Sequence, residues 1–313
     1  MTRAFVFPGQ GSQAVGMGRD LAEAFPVARQ LFQEVDDALS QKLSFLMFEG
    51  PEEDLTLTDN AQPALMAMSL AVVRVLESEG NMDLAKSAAF VAGHSLGEYS
   101  ALAAAGTFSV ADTARLLKIR GQAMQKAVPV GVGAMAALLG SELEQAKEIA
   151  AEAAQGDVCE AANDNGGAQV VLSGHKAAVD RAIKIAAERG IKRAILLPVS
   201  APFHCALMQP AADAMAEALV KVEMTHPRLP LVANVTANRV TDPADIRDLL
   251  VRQVTGTVRW RESVLYMKAQ GVESLVELGA GKVLGGLAKR IDKELTGSSI
   301  SAPADIEAFL KSL

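Results

Sequence analysis

The stretch VAGHSLGEYSALA, residues 91–103, predicts a strand, a sharp turn and a helix in direct succession. Its first three residues close a short apolar run that is typical of a buried strand, and the alanine-rich pattern that begins at Ser95 predicts a helix. Between strand and helix lies GHSLG, a match to the G-x-S-x-G pattern. The small residues of this pattern let a sharp turn present the serine hydroxyl at the carboxyl edge of a sheet. Ser95 is therefore the candidate nucleophile.

Outside this stretch the chain alternates short apolar runs with longer helical patterns. The apolar runs predict strands at 4–7, 231–234 and 274–278, and helical patterns lie at 64–77 and 112–126. A loop is expected at 297–303, before a C-terminal helix at 304–313. This alternation predicts an α/β fold with a mainly parallel sheet.

The middle of the chain follows a different order. Its predicted elements are a strand at 133–140, a helix beginning at 141, strands at 158–162 and 169–173, a helix at 176–189 and a strand at 191–199. The cluster NDNGG at 163–167 predicts the turn of a hairpin between the two middle strands. The order βαββαβ is that of a ferredoxin-like unit. We therefore expect a small domain at 128–198, inserted into a large α/β domain formed by 1–127 and 199–313.

Composition limits the class of protein. Hydrophobic residues make up 50% of the 313 residues and charged residues 21%, which predicts a globular chain rather than a disordered one. The net charge of −7 argues against a nucleic-acid partner, because neutralising phosphates requires clustered Lys and Arg. No apolar run reaches the length of about 18 residues that a membrane span requires, and the run at 4–7 is too short for a signal peptide.

The two cysteines, Cys159 and Cys205, form no disulfide framework, which suits a reducing cytoplasm. They also lack the spacing of metal ligands, and no two histidines share a helical face, so no metal site is expected. A soluble, cytoplasmic protein is the expectation.

A serine nucleophile needs a general base, and the chain has four histidines. His204 lies in SAPFHC at 200–205, just after the strand that returns to the large domain, where the sites of parallel sheets lie. It is the candidate base. The backbone N–H of Leu96, which follows the nucleophile at the start of a helix, is expected to face the developing oxyanion. A helix cap or a solvated side chain is expected for the other three histidines, His94, His175 and His226.

One further motif points to a different class of protein. The segment FPGQGSQA at 7–14 follows the first predicted strand and contains G-x-G-x-x-A, a permitted form of the dinucleotide fingerprint. Against nicotinamide binding, Pro26 interrupts the helical region that follows, and the expected second strand with its acidic residue is missing. We therefore expect no bound cofactor.

Seven short motifs occur in a fixed order along the chain: FPGQGSQ at 7–13, QPA at 62–64, GHSLGE at 93–98, RG at 120–121, GAM at 133–135, FH at 203–204 and GKVL at 281–284. In this order they resemble the malonyl-CoA:acyl carrier protein transacylases, the malonyltransferases of type II fatty-acid synthesis. The resemblance covers essentially the whole chain. It implies an α/β-hydrolase-like core with an inserted ferredoxin-like α+β small domain.

The resemblance also implies a role for individual residues. Ser95 would be the nucleophile, His204 its base and Arg120 the partner of the malonyl carboxylate. From its helical spacing alone, Arg120 would instead be a surface residue that covers the helix with its stem. The main-chain carbonyl of Gln253 would orient the histidine, so no triad acid is expected. Four further residues would complete the site, the oxyanion-hole donors Gln10 and Leu96 and the pocket-lining Gln62 and Phe203.

The function that the resemblance implies is malonyl transfer from malonyl-CoA to the phosphopantetheine thiol of an acyl carrier protein, through an ester on Ser95. The product would supply extender units for fatty-acid biosynthesis, and the coenzyme A thioester would be a substrate. Phe203 supports malonyl over methylmalonyl, because a smaller residue accompanies branched units in the related domains. Two alternatives stay open. A serine esterase or thioesterase would share Ser95 and His204 but lack a buried cation for a substrate carboxylate, and a non-catalytic scaffold would only bind acyl carriers.

Overall fold

The computed structural model describes residues 1–313, which form ten strands and fifteen α-helices. The strands are β1 (Arg3–Phe7), β2 (Phe90–Gly93), β3 (Gly133–Leu139), β4 (Cys159–Gly166), β5 (Gln169–His175), β6 (Arg193–Leu196), β7 (Leu231–Val232), β8 (Arg239–Val240), β9 (Ser274–Leu278) and β10 (Thr296–Ile300). The helices are α1 (Arg19–Ala24), α2 (Pro26–Leu39), α3 (Leu43–Glu49), α4 (Glu52–Thr56), α5 (Thr58–Gly80), α6 (Leu84–Ser87), α7 (Gly97–Ala104), α8 (Val110–Ala127), α9 (Leu143–Ala154), α10 (Lys176–Glu188), α11 (Gln209–Val220), α12 (Pro243–Thr255), α13 (Trp260–Ala269), α14 (Val283–Ile291) and α15 (Pro303–Leu310). No helix is both long enough and apolar enough to cross a membrane.

The larger sheet has the strand order β10-β9-β1-β2-β7-β8. All neighbouring strands in it are parallel except β7 and β8, so the predicted α/β fold with a mainly parallel sheet is confirmed. Successive side chains of a strand point to opposite faces. In β1, Phe5 and Phe7 accordingly join one hydrophobic core, whereas Ala4 and Val6 join another on the opposite face. Both faces are covered, which explains why this strand is a continuous apolar run.

The smaller sheet has the order β4-β5-β3-β6, and all its strand pairs are antiparallel. Helices α9 and α10 cover one face and share a core with Ala134 and Ala136 of β3. The intervening residues of β3, Met135 and Ala137, belong to the large core of the other sheet. The smaller sheet therefore packs by its second face against the body of the molecule.

The turn predicted at 163–167 is wrong in its position. Strand β4 continues to Gly166 with two register shifts against β5. The reason is a contact with the segment between α12 and α13: Asn163 forms a parallel bridge with Val258, and the Asp164 N–H donates to the Val258 carbonyl at 3.0 Å. The Asp164 carboxylate also accepts from Arg261 Nε at 2.9 Å. Polar residues that are typical of turns are here held extended by partners distant in sequence.

The loop predicted at 297–303 is confined to 301–302, because residues up to Ile300 form β10 beside β9. The sequence TGSSI has no apolar run, and the strand lies at the edge of the sheet where Gly297 and Ser298 are exposed. The predicted strand at 274–278 is confirmed, and those at 231–234 and 191–199 are shorter than predicted.

Candidate active site

Ser95 lies in the turn between β2 and α7 with a left-handed backbone, at φ 54°. The turn is tight because two glycines allow close backbone approach: a Cβ on Gly97 would collide with the carbonyl oxygen of Phe7, and one on Gly93 would collide with the Gly97 backbone. The buried Asn234 holds the turn from the side. Its Oδ1 accepts the Ser95 N–H at 2.8 Å, and its Nδ2 donates to the Gly93 carbonyl at 2.7 Å.

The Ser95 hydroxyl and the His204 imidazole form a hydrogen bond, with 2.7 Å between Oγ and Nε2. On the other side of the ring, Nδ1 lies 2.8 Å from the main-chain oxygen of Gln253. A carbonyl oxygen only accepts, so Nδ1 carries the proton and Nε2 accepts from the serine. Burial, aided by the positive charge of Arg120, lowers the pKa of His204 to about 3. The imidazole is thus neutral and correctly oriented to take a proton.

Arg120 of α8 is only 1% exposed, so the surface position that its spacing alone suggests is wrong. Its Nη1 donates to Gln62 Oε1 at 2.8 Å, and its Nη2 donates to Gln253 Oε1 at 2.8 Å and to Ser95 Oγ at 3.1 Å. None of the ion pairs of the chain includes Arg120. A buried guanidinium beside the serine, held by neutral amides, can accept an anionic group.

Gln10 and Leu96 lie beside the serine at the same edge of the large sheet. Gln10 follows β1 and Leu96 follows β2, and these strands are parallel neighbours. Neither backbone N–H donates to a protein acceptor. Both residues line the cleft, so the two N–H groups are available to an oxygen bound next to Ser95.

The cleft has a volume of about 470 Å³ and lies between the two sheets. Every predicted site residue except Gln253 lines it, and Gln253 lies buried behind His204. The small sheet contributes Met135 and Asn163, and apolar walls come from Phe203 and Met124. The cleft thus joins a polar reaction centre to apolar surfaces from both parts of the chain.

Two of the other histidines, His94 and His175, differ from expectation. His94 is neither a cap nor solvated: it is partly buried, lines the cleft, and its Nε2 lies 2.8 Å from Asn165 Oδ1 in the small sheet. Burial lowers its pKa. His175 stands at the start of α10, but its Nδ1 accepts the N–H of Val158 and does not cap the helix. His226 is exposed.

Sequence reasoning missed two buried polar residues of the site, Asn234 and Glu98. Glu98 is the only charged residue of α7 and is 1% exposed. A lone charge in an alanine-rich helix was a signal that could have been noticed. Asn234 gave no such signal, because its contacts with the serine turn join residues more than a hundred positions apart.

The acyl transferase domain family has a sequence model that matches residues 4–291 of this chain. The fold and the serine–histidine site thus define the class of acyl transferases.

Full-length relatives narrow this class. The malonyl CoA-acyl carrier protein transacylase of Escherichia coli strain K12 is 48% identical over 308 residues, which cover 98% of each chain. The crystal structure of acyl-carrier-protein-S-malonyltransferase from Bartonella henselae superposes with a TM-score of 0.97 at 57% identity, covering 100% of this chain and 99% of that one. A malonyl-transacylase solved with its type II PKS acyl-carrier protein has a TM-score of 0.96 at 44% identity, and both chains are fully covered. The chain belongs to the malonyl CoA-acyl carrier protein transacylase family.

Proposed function

We propose that this chain transfers a malonyl group from malonyl-CoA to the phosphopantetheine thiol of an acyl carrier protein, through an ester on Ser95. The observation that carries the proposal is the buried Arg120, whose Nη2 lies 3.1 Å from the Ser95 hydroxyl oxygen. Malonyl differs from acetyl by a carboxylate, which is costly to bury unless a cation meets it. A guanidinium can bind it with two parallel hydrogen bonds. The product would serve as an extender unit in fatty-acid biosynthesis.

In the first half-reaction, His204 Nε2 takes the Ser95 proton as Oγ attacks the thioester carbonyl. The N–H groups of Gln10 and Leu96 stabilise the oxyanion of the tetrahedral intermediate. When this intermediate collapses, the carbon–sulfur bond breaks and the coenzyme A sulfur leaves with the proton from His204. The malonyl group then remains on Ser95 as an ester.

In the second half-reaction, the carrier thiol gives its proton to His204 and its sulfur attacks the ester carbonyl. The carbon–oxygen bond to Ser95 breaks, and His204 returns the proton to Oγ. The Gln253 carbonyl, 2.8 Å from His204 Nδ1, keeps the ring oriented through both halves. Apolar walls from Met124, Met135 and Phe203 disfavour water as a competing nucleophile.

The two alternatives explain less of the site. A serine esterase or thioesterase has no use for a buried cation beside its nucleophile, and the histidine here is oriented by the Gln253 carbonyl rather than by a carboxylate. A non-catalytic scaffold does not need the hydrogen bond of 2.7 Å between Ser95 Oγ and His204 Nε2.

The finer architecture is part of the proposal. We assign 1–127 and 199–313 to an α/β-hydrolase-like core and 128–198 to a ferredoxin-like domain. The order βαββαβ of β3 to β6 with α9 and α10 supports this, as does the antiparallel strand order β4-β5-β3-β6.

We also propose a cytoplasmic location, which suits the two free cysteines, Cys159 and Cys205.

The test is to mix the protein with malonyl-CoA and measure its intact mass, then add acyl carrier protein. We expect one malonyl adduct, which moves to the carrier thiol faster than it hydrolyses. Ser95→Ala should form no adduct, whereas Ser100→Ala, which changes a serine within α7 that does not line the cleft, should behave as the unchanged protein. An adduct on Ser95→Ala would reject this nucleophile, and release to water as fast as to the carrier would favour the thioesterase.

A further inference from the structure

Glu98 is a buried acid that the mechanism above does not use. It lies in the first turn of α7, three residues after the nucleophile, and is 1% exposed. Its Oε2 accepts from Gln253 Nε2 at 2.7 Å and from the Asn234 N–H at 3.3 Å. It forms no ion pair, although its charge is felt by Arg120. A buried carboxyl group next to a reaction centre needs a physical reason, because burial alone disfavours it.

Gln253 connects Glu98 to both halves of the catalytic machinery. Its side-chain oxygen accepts from Arg120 Nη2 at 2.8 Å, and its main-chain oxygen accepts from His204 Nδ1 at 2.8 Å. Its side-chain nitrogen donates to Glu98 and, at 2.8 Å, to the Ser95 carbonyl. One residue thus meets the nucleophile, the base and the cation.

The direction in which this amide points matters. The oxygen and nitrogen ends have nearly the same shape, so an amide can turn over unless its partners prevent it. Turned over, the NH₂ group of Gln253 would face the guanidinium of Arg120, and two donors would meet. An acceptor opposite the nitrogen excludes this arrangement. Two acceptors face the nitrogen, the Ser95 carbonyl at 2.8 Å and the Glu98 carboxylate at 2.7 Å, and the carboxylate has no hydrogen to donate while it is ionised.

We propose that Glu98 is a positioning residue for malonyl transfer, which fixes the Gln253 amide so that its oxygen holds Arg120 in place. The proposal rests on the proposed function. It assigns to this site an acid that acts on the buried cation through an intervening glutamine. Because Arg120 is held by the Gln253 side chain and His204 by its main chain, loss of Glu98 should disturb the cation more than the base.

The experiment compares two replacements of similar size. Glu98→Gln keeps an acceptor oxygen for Gln253, and Glu98→Met removes it. We expect Glu98→Gln to retain malonyl kcat/KM within about threefold, and Glu98→Met to lose about tenfold or more, with a clearly smaller loss for acetyl-CoA. Melting temperatures report whether both variants fold. Equal activities of the two folded variants, or equal losses of malonyl and acetyl transfer in Glu98→Met, would overturn the proposal.

Gln253→Met tests the contact between Glu98 and Gln253 by changing the glutamine instead of the acid. It also provides a test if Glu98→Met does not fold. It removes the amide and leaves the main-chain carbonyl on His204, so malonyl transfer should fall about tenfold or more and acetyl transfer much less. The double variant should be no worse than Gln253→Met, because the two residues act as one unit. Additive losses would contradict action through Gln253. If the unchanged protein forms no malonyl adduct, the proposed function fails, whatever these variants do.

Discussion

Arg120 donates to the hydroxyl oxygen of Ser95 across 3.1 Å, while the same oxygen lies 2.7 Å from His204 Nε2. The cation is therefore close enough to meet the carboxylate of a three-carbon acyl group that is esterified to this oxygen. Both contacts converge on one atom, which links the choice of acyl group to the site of bond formation.

Arg120→Ala should reduce malonyl transfer by roughly 10²-fold, because an uncompensated carboxylate in this cleft costs about 3 kcal/mol and each factor of ten corresponds to about 1.4 kcal/mol. Acetyl transfer should fall much less, since acetyl brings no charge. Arg120→Lys should have an intermediate rate of malonyl transfer, because lysine offers a point charge instead of two parallel N–H donors. The measurement is kcat/KM for both acyl-CoA substrates. Arg115→Ala, on the exposed face of the same helix, is the control, and an equal drop for both substrates in Arg120→Ala would make the arginine structural.

His204→Ala should slow acylation on the order of 10²–10⁴-fold if the imidazole is the general base. His175→Ala, which changes a histidine of the small sheet outside the cleft, is the matched control and should transfer normally.

The pH dependence of acylation follows from the lowered pKa of His204. The neutral imidazole is the active form, and burial keeps it neutral down to about pH 3 instead of its usual 6.5. The single-turnover rate should therefore show no loss near pH 6.5 that is due to this histidine. Burial raises the pKa of Glu98 to about 7, so protonation of this carboxylate is the expected cause of any fall in rate as the pH drops through neutrality. Glutamine does not titrate, so this fall should vanish in Glu98→Gln. A loss near pH 6.5 that persists in that variant would contradict the assignment.

Gly97→Ala should destroy the serine turn, because the added methyl group would collide with the Phe7 carbonyl oxygen in β1. Overpacking of this kind typically costs about 1–3 kcal/mol. We expect a lower midpoint of urea unfolding together with loss of the malonyl adduct. Gly286→Ala in α14 is the control: its added methyl group meets open space, so the helix should gain up to about 1 kcal/mol. Unchanged stability and adduct formation in Gly97→Ala would show that the backbone can move aside.

The sequence predicts structure that depends on neighbouring residues, but not structure that depends on contacts between residues far apart in the chain. The turn at Ser95 and strands such as β9 are encoded by neighbouring residues, so the sequence predicted them. Strand β10 was missed because pairing with β9, not its own composition, makes it extended. The bridge between Asn163 and Val258 displaced the predicted turn in the same way.

The active site also combines residues that local motifs predict with residues that are placed by contacts distant in sequence. The motif that contains Ser95 is local, whereas the burial of Arg120 depends on Gln62 and Gln253, which come from other helices. Helical spacing on α8 could not reveal these partners. Only the resemblance to a family supplied the role of Arg120, and nothing supplied that of Glu98.

The left-handed backbone of the two reacting residues has a consequence for selection. Ser95 has φ 54° and His204 has φ 57°, a conformation that costs a residue with a side chain about 1–2 kcal/mol. The chain thus gives up stability at the two positions where it gains activity. Ser95→Gly should be more stable than Ser95→Ala by up to about 1 kcal/mol, since both lack the hydroxyl and only alanine keeps the unfavourable Cβ. Selection for thermal resistance alone would therefore drive these two positions toward glycine and the enzyme toward inactivity.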